Sequence, residues 1–143
     1  MADNNASKTN VLNEQLKEDV SLTEFFEQNA QDFINVPLNR YLKALIEKKG
    51  VTKTKMVRDS GINRRYFYDI LSGKRNATRN YVLRILLVLQ IPLKNAQWLL
   101  RATGYAQLYA RDRRDSVIIY CVNHQSSVKD CTAMLEKINC EPI

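Results

Sequence analysis

Two adjacent arginines, Arg64 and Arg65, precede Tyr68 and Asp69, with Lys53 and Thr54 upstream and Lys74, Arg75 and Asn76 downstream. The chemistry these residue types offer is recognition rather than bond-making. An arginine fork donates two parallel hydrogen bonds to a planar pair of acceptors, and a lysine supplies a point charge for a phosphate. Residues 37–84 carry thirteen Lys/Arg against three acidic residues, net +10, while residues 1–36 carry two against seven, net −5, and residues 85–143 seven against five, net +2. The formal charge of +7 is therefore concentrated on the stretch that holds these side chains, which is what phosphate binding requires.

Catalysis finds little material. His124 is the single histidine and lies three residues from Cys121, too close in sequence to face it across a cleft as a nucleophile–base pair. The three acids of the basic stretch, Glu47, Asp59 and Asp69, are not clustered for metal-assisted cleavage, and no glycine-rich phosphate loop occurs. Cys121, Cys131 and Cys140 are odd in number and lack a CxxC pair, so neither a disulfide framework nor a zinc site is expected. They read as reduced thiols in a core. The expectation is a protein that is not an enzyme and uses no metal or cofactor.

The elements that must position the basic residues follow from apolar spacing and caps. A chain of 143 residues suits one domain with an appendage. No apolar run approaches the roughly 20 residues of a membrane span, and the polar start resembles no signal peptide, so a cytoplasmic, membrane-free protein is expected. Residues 1–20 read as a mobile polar tail or weak helix, and 21–36 as a helical arm, with Ser21 and Glu24 as a capping box and Phe25, Phe26 and Phe33 on its apolar face. Leu38, Tyr41, Leu42, Leu45 and Ile46 mark a helix with Pro37 at its first position and Gly50 as its cap. Thr52 should cap a helix over residues 53–60, Gly61 should turn the chain, and Asn63 should cap a helix over 64–72 with Phe67, Ile70 and Leu71 inward. Thr78 then opens a helix apolar almost all round, predicted to lie mid-bundle, and Pro92 opens one closed by Gly104. Beyond residue 105, the apolar run 117–122 fits helix or strand, and helix is favoured because Ser127 and Asp130 announce a further helix with which it would form an α-hairpin.

Several of these residues match a known pattern. Gly50-Val51-Thr52, Ser60-Gly61-Ile62-Asn63, Gly73-Lys74-Arg75-Asn76, and the apolar Ile85 and Leu89 together resemble the Cro and phage-repressor type of helix-turn-helix domain, the bacterial family of xenobiotic-response-element-like regulators. The resemblance covers about residues 37–92. It implies an all-α architecture: a five-helix repressor-like DNA-binding bundle over 37–104, with the N-terminal arm and a C-terminal extension, 105–143, as an α-hairpin. Lys53 stands where the family commonly has glutamine, Ala77 where proline is frequent and Gln90 where glycine is frequent.

What the resemblance implies for function is sequence-specific binding of double-stranded DNA by a transcriptional regulator, with repression as the expected mode. Base-reading positions match Arg64, Arg65 and Asp69, with Tyr68 between them. Arginine suits guanine O6 and N7, Asp69 suits cytosine N4, and tyrosine suits a thymine methyl or a phosphate. Phosphate contacts are expected from Lys53 and Thr54 at a helix N-terminus and from Lys74, Arg75 and Asn76 in the following loop. Such proteins usually pair on two half-sites, so a homodimer is expected, through either the Phe25/Phe26/Phe33 arm or the C-terminal helices with Ile118, Ile119, Val128, Met134 and Leu135. Arg111, Arg113 and Arg114 interleave with Asp112 and Asp115 and suggest local salt bridges at least as strongly as phosphate contacts. The alternative is a protein-interaction factor, an antitoxin, inhibitor or adaptor built on the same helical domain, motivated by the −5 segment beside the +10 one.

Overall fold

A computed structural model describes residues 4–17, 29 and 37–143. The described residues are helical, with no strand among them: α1 (Asn4–Leu16), α2 (Leu38–Lys49), α3 (Lys53–Ser60), α4 (Arg64–Ser72), α5 (Arg79–Leu89), α6 (Leu93–Ala102), α7 (Arg113–Asn123) and α8 (Val128–Lys137). The run 117–122 belongs to α7, so the ambiguous segment is helix. The arm expected over 21–36, with its capping box and phenylalanines, lies outside the described residues. The start of the chain takes the weak-helix form: α1 leaves Val11 and Leu16 about half exposed, and Asn29 Nδ2 donates to Gln15 Oε1 at 2.7 Å. No helix among the described residues is long and apolar enough to cross a membrane.

The caps form where the residue types call for them. Thr52, Asn63, Thr78 and Ser127 each accept a hydrogen bond from the backbone N–H three residues on, filling donors that a helix start leaves open. Two ends differ by one place. Pro37 occupies the N-cap rather than the first helical position, and Thr103 rather than Gly104 closes α6.

Helix α5 is the centre of the molecule. Val82, Leu83, Ile85, Leu86, Leu87 and Leu89 are all buried on it, and it packs against α2, α3, α7 and α8. Ile118, Cys121, Val122, Val128, Cys131 and Leu135 belong to the same hydrophobic cluster as Leu42, Met56 and Phe67. The stretch read as a C-terminal extension thus shares its core with the basic module. Of the residues considered for a dimer seam on these helices, Ile118, Val128 and Leu135 are spent on this internal core. Met134 stays exposed and Ile119 half-buried.

Two arginines of α5 tie distant segments to it. Arg79 grips Asp115 of α7 with both terminal nitrogens, at 3.1 Å each, and donates to the carbonyls of Ala106 and Gln107 at 3.0 and 3.1 Å. Arg84 donates to Ser60 O at 3.2 Å and twice to the carbonyl of Ile143. Arg114 does the same from α7, reaching Asn80 Oδ1 and the carbonyls of Glu141 and Pro142 at 2.8–2.9 Å. The local salt bridges foreseen within 111–115 are replaced by these longer connections, because Asp112 caps α7 and Asp115 faces Arg79.

Asp115 is 8% exposed, so truncating it strands a guanidinium with few other acceptors. Asp115→Ala should cost about 3 kcal/mol in denaturant unfolding, and Arg79→Lys should lose much of the same stability because an ammonium cannot fork; equality of either variant with the parent would contradict this account. The thiols provide a second check. Burial, and then the neighbouring Cys121 thiol, push the Cys131 thiol up to about 12. Its stabilising contribution is complete below the ordinary thiol pKa of about 8.5 and is lost as pH rises through about 12. At pH 8 an alkylating reagent should label the half-buried Cys140 first and reach the buried Cys121 and Cys131 only on unfolding.

Candidate nucleic-acid interface

Helices α3 and α4 are joined by a turn with no slack. Gly61 adopts φ 68°, the fully buried Ser60 accepts at Oγ from Ile62 N at 3.2 Å, and Asn63 Oδ1 then accepts from Tyr66 N at 3.3 Å. Phe67, Ile70 and Leu71 bury one face of α4. This burial turns Arg64, Arg65 and Tyr68 to solvent.

The N-termini of α3 and α4 meet at Tyr68. Tyr68 is 38% exposed, and its ring has the Lys53 ammonium 5.5 Å from the centroid and the Arg64 guanidinium 5.9 Å away. Both distances are within reach of the attraction between a cation and an aromatic face. Lys53 from the phosphate set and Arg64 and Tyr68 from the base-reading set therefore form one surface. Thr54 and Arg65 are exposed alongside them on the same two helices.

Asp69 is placed differently. Its side chain is 16% exposed and its Oδ2 lies 4.0 Å from Arg75 Nε, while its carbonyl accepts from Arg75 N at 3.1 Å. Two residues expected to touch nucleic acid thus occupy each other.

The basic loop that follows is held in one shape. Gly73 takes φ 81° and donates to Ile70 O at 3.2 Å, and Lys74 N donates to Ser72 Oγ at 3.4 Å. Tyr66 lies under the loop: the Arg75 guanidinium is 4.8 Å from its ring centroid, and its hydroxyl donates to Asn76 O at 3.3 Å. From beyond α6, the Tyr105 hydroxyl donates to Ala77 O at 2.5 Å. Burial, and then the neighbouring Tyr66 phenol, raise the Tyr105 pKa above its ordinary value. Lys74 and Asn76 keep their side chains exposed.

Nothing in the sequence marks Tyr66 and Tyr105 as part of this surface. A half-buried tyrosine two places after Arg64 has no local mark, and Tyr105 is 28 residues from the carbonyl it binds. Elsewhere, His124 stacks on Tyr120 with ring centroids 3.9 Å apart, and its Nδ1 lies 2.8 Å from Tyr120 O, so the single imidazole is engaged within its own helix end. Among the described residues no group of three metal-ligating side chains converges.

No protein-family model matches the chain, and neither a curated protein nor a solved structure matches it at a significant level. The likeness to helix-turn-helix regulators therefore rests on the spaced residues themselves.

The turn can be probed through its glycines. A Cβ at Gly50 would meet nothing within 4 Å, whereas one at Gly61 would sit 3.2 Å from Arg84 Nη1, the atom that donates to Ser60 O. Both positions have positive φ, so Gly50→Ala should cost about 1–2 kcal/mol from backbone strain alone. Gly61→Ala should cost more, because it also displaces Arg84. Thermal unfolding of the two variants checks the order, and a smaller loss at Gly61 would refute it.

Proposed function

We propose that the chain is a sequence-specific, double-stranded DNA-binding transcriptional regulator acting as a repressor, with α4 entering the major groove. The observation that carries this reading is the convergence at Tyr68, where two helix N-termini bring Lys53 and Arg64 around a protruding ring. An α-helix fits the major groove of B-DNA, and its exposed side chains can reach base edges there. On α4 those side chains are Arg64, Arg65 and Tyr68. Helix N-termini favour anions through their free N–H groups and dipole, so Lys53 and Thr54 at the start of α3 suit a phosphate on one flank. Lys74, Arg75 and Asn76 suit the other flank. The helices from α2 to α6 would then correspond to the five-helix repressor-like bundle.

A single module of this size makes few base contacts, and a pair of chains on two half-sites supplies the rest. Met134 and the half-exposed Tyr120, with Val117 and Ile138 between them, line a shallow apolar groove on α7 and α8 that suits such pairing.

Selection from random duplexes tests the reading. Enriched sites should contain G·C pairs opposite the arginines, in half-sites about 10 base pairs apart, centre to centre. On the enriched site Arg65→Ala should cost about 1–3 kcal/mol and relax one base position, whereas Lys74→Ala should weaken all duplexes alike and lower the salt slope by about one. Failure to enrich any duplex would defeat the proposal and leave the protein-interaction alternative. Enrichment of pure A·T half-sites would defeat the role given to the arginines.

A further inference from the structure

The loop over residues 73–78 accepts at two successive carbonyls from phenols of separate segments. Tyr66, on the inner flank of α4, donates to Asn76 O at 3.3 Å, and Tyr105, beyond the end of α6, donates to Ala77 O at 2.5 Å. Neither phenol floats. The Tyr66 ring packs edge-on against Tyr81 of α5 with centroids 4.9 Å apart, and Tyr81 in turn has the Arg84 guanidinium 5.6 Å from its centroid. The backbone just after Tyr105 is fixed by Arg79, which donates to the carbonyls of Ala106 and Gln107 and grips Asp115. Arg79 is also the first residue of α5, immediately after Thr78 caps that helix. The segment 105–115 is therefore a strap anchored to the same helix start on which the loop ends.

Resting on the DNA-binding reading above, we propose that Tyr66 and Tyr105 are positioning residues that hold the loop in its phosphate-contacting shape, with the strap as their support. Tyr66 performs two tasks. Its ring carries the Arg75 guanidinium at 4.8 Å, and its hydroxyl fixes the next peptide. Tyr105 brings the C-terminal third of the chain into the interface without itself touching DNA. The physical gain is pre-organisation: a loop already in its bound shape does not lose conformational freedom when it meets a phosphate. The strap supplies a rationale for helices α7 and α8 in a module whose reading surface lies on α3 and α4. It also gives a route by which a change at α7 would be felt as weaker binding to every sequence.

The test uses the full chain with four variants: Tyr66→Phe and Tyr105→Phe, which remove only the hydroxyls, Tyr66→Leu, which also removes the platform beneath Arg75, and Arg75→Ala. Binding is measured by titration over a salt series on the enriched duplex and on a scrambled one. Backbone amide exchange of residues 74–77 is followed without DNA. Either phenylalanine variant should exchange faster at 74–77 than the parent while exchange in α5 is unchanged, and should bind both duplexes about threefold more weakly, with the preference between them intact. Tyr66→Leu should lower the salt slope by about one, as Arg75→Ala does. The clamp is overturned if the phenylalanine variants exchange like the parent at 74–77, or if they change the preference between duplexes. Should Tyr66→Leu fail to fold, the phenylalanine variants decide the matter alone. A parent chain that binds neither duplex overturns the DNA reading and the phosphate role with it, and the exchange data then report only whether the two phenols order the loop.

Discussion

An arginine placed on a buried helix must find its acceptors inside the protein, and this constraint shapes much of the molecule. Helix α5 is apolar on nearly every side and is surrounded by four other helices. Arg79 and Arg84 project from it and are half-buried, and a guanidinium withdrawn in part from water is tolerated best when its donors are met. Each satisfies them with backbone carbonyls or a carboxylate from stretches far along the chain. The packing of the C-terminal hairpin, the turn between α3 and α4, and the strap after α6 are all referred to this one helix. Its hydrophobic faces supply the burial energy, and its two cations specify which segments may lie alongside.

The same accounting changes how the charge of the basic stretch is understood. Two of the cations that make residues 37–84 so positive are Arg79 and Arg84, and both are committed internally. A third, Arg58, pairs with Asp59 at 3.0 Å on the surface. Lys53, Arg64, Arg65, Lys74 and Arg75 remain exposed on α3, α4 and the loop beyond, while Arg40, Lys43, Lys48, Lys49 and Lys55 are exposed elsewhere on the stretch. A formal sum says nothing of where the charge lies, and the arrangement around Tyr68 brings Lys53 and Arg64 together. Exposed charges of this kind are screened beyond about 8–10 Å at ordinary salt, so their proximity matters more than their number.

Local signals in the sequence located the helices well and their mutual contacts poorly. Thr52, Asn63, Thr78 and Ser127 announce helix starts, and Gly50, Gly61 and Gly73 announce turns, because capping and positive φ are settled within three or four residues. The apolar period also identified α5 as central. The connections made by Arg79, Arg84, Arg114 and Tyr105 span 24 to 59 residues, and no periodicity encodes them. The alternation of acid and base over 111–115 was misleading for the same reason. Short-range charge neighbours were read as partners, yet desolvation drew Asp115 to a guanidinium on another helix. At the candidate site, the exposed face of α4 could be read from three apolar positions, but the turning of Asp69 toward Arg75 and the phenols beneath the loop depend on tertiary contacts.

The strap after α6 has a consequence for how this protein relates to its own parts. Two short helices joined by a tight turn invite the view of an interchangeable cassette, a stretch that keeps its shape wherever it is spliced. Here the shape of the loop that follows α4 is written in at least three separate places: Tyr66 within the unit, Asn39 of α2 packed where a side chain on Gly73 would have to go, and Tyr105 well downstream of it. Residues 50–78 transplanted into another scaffold would carry the arginines and leave behind what orients the loop. The unit that shapes the loop is larger than the two helices that present the arginines.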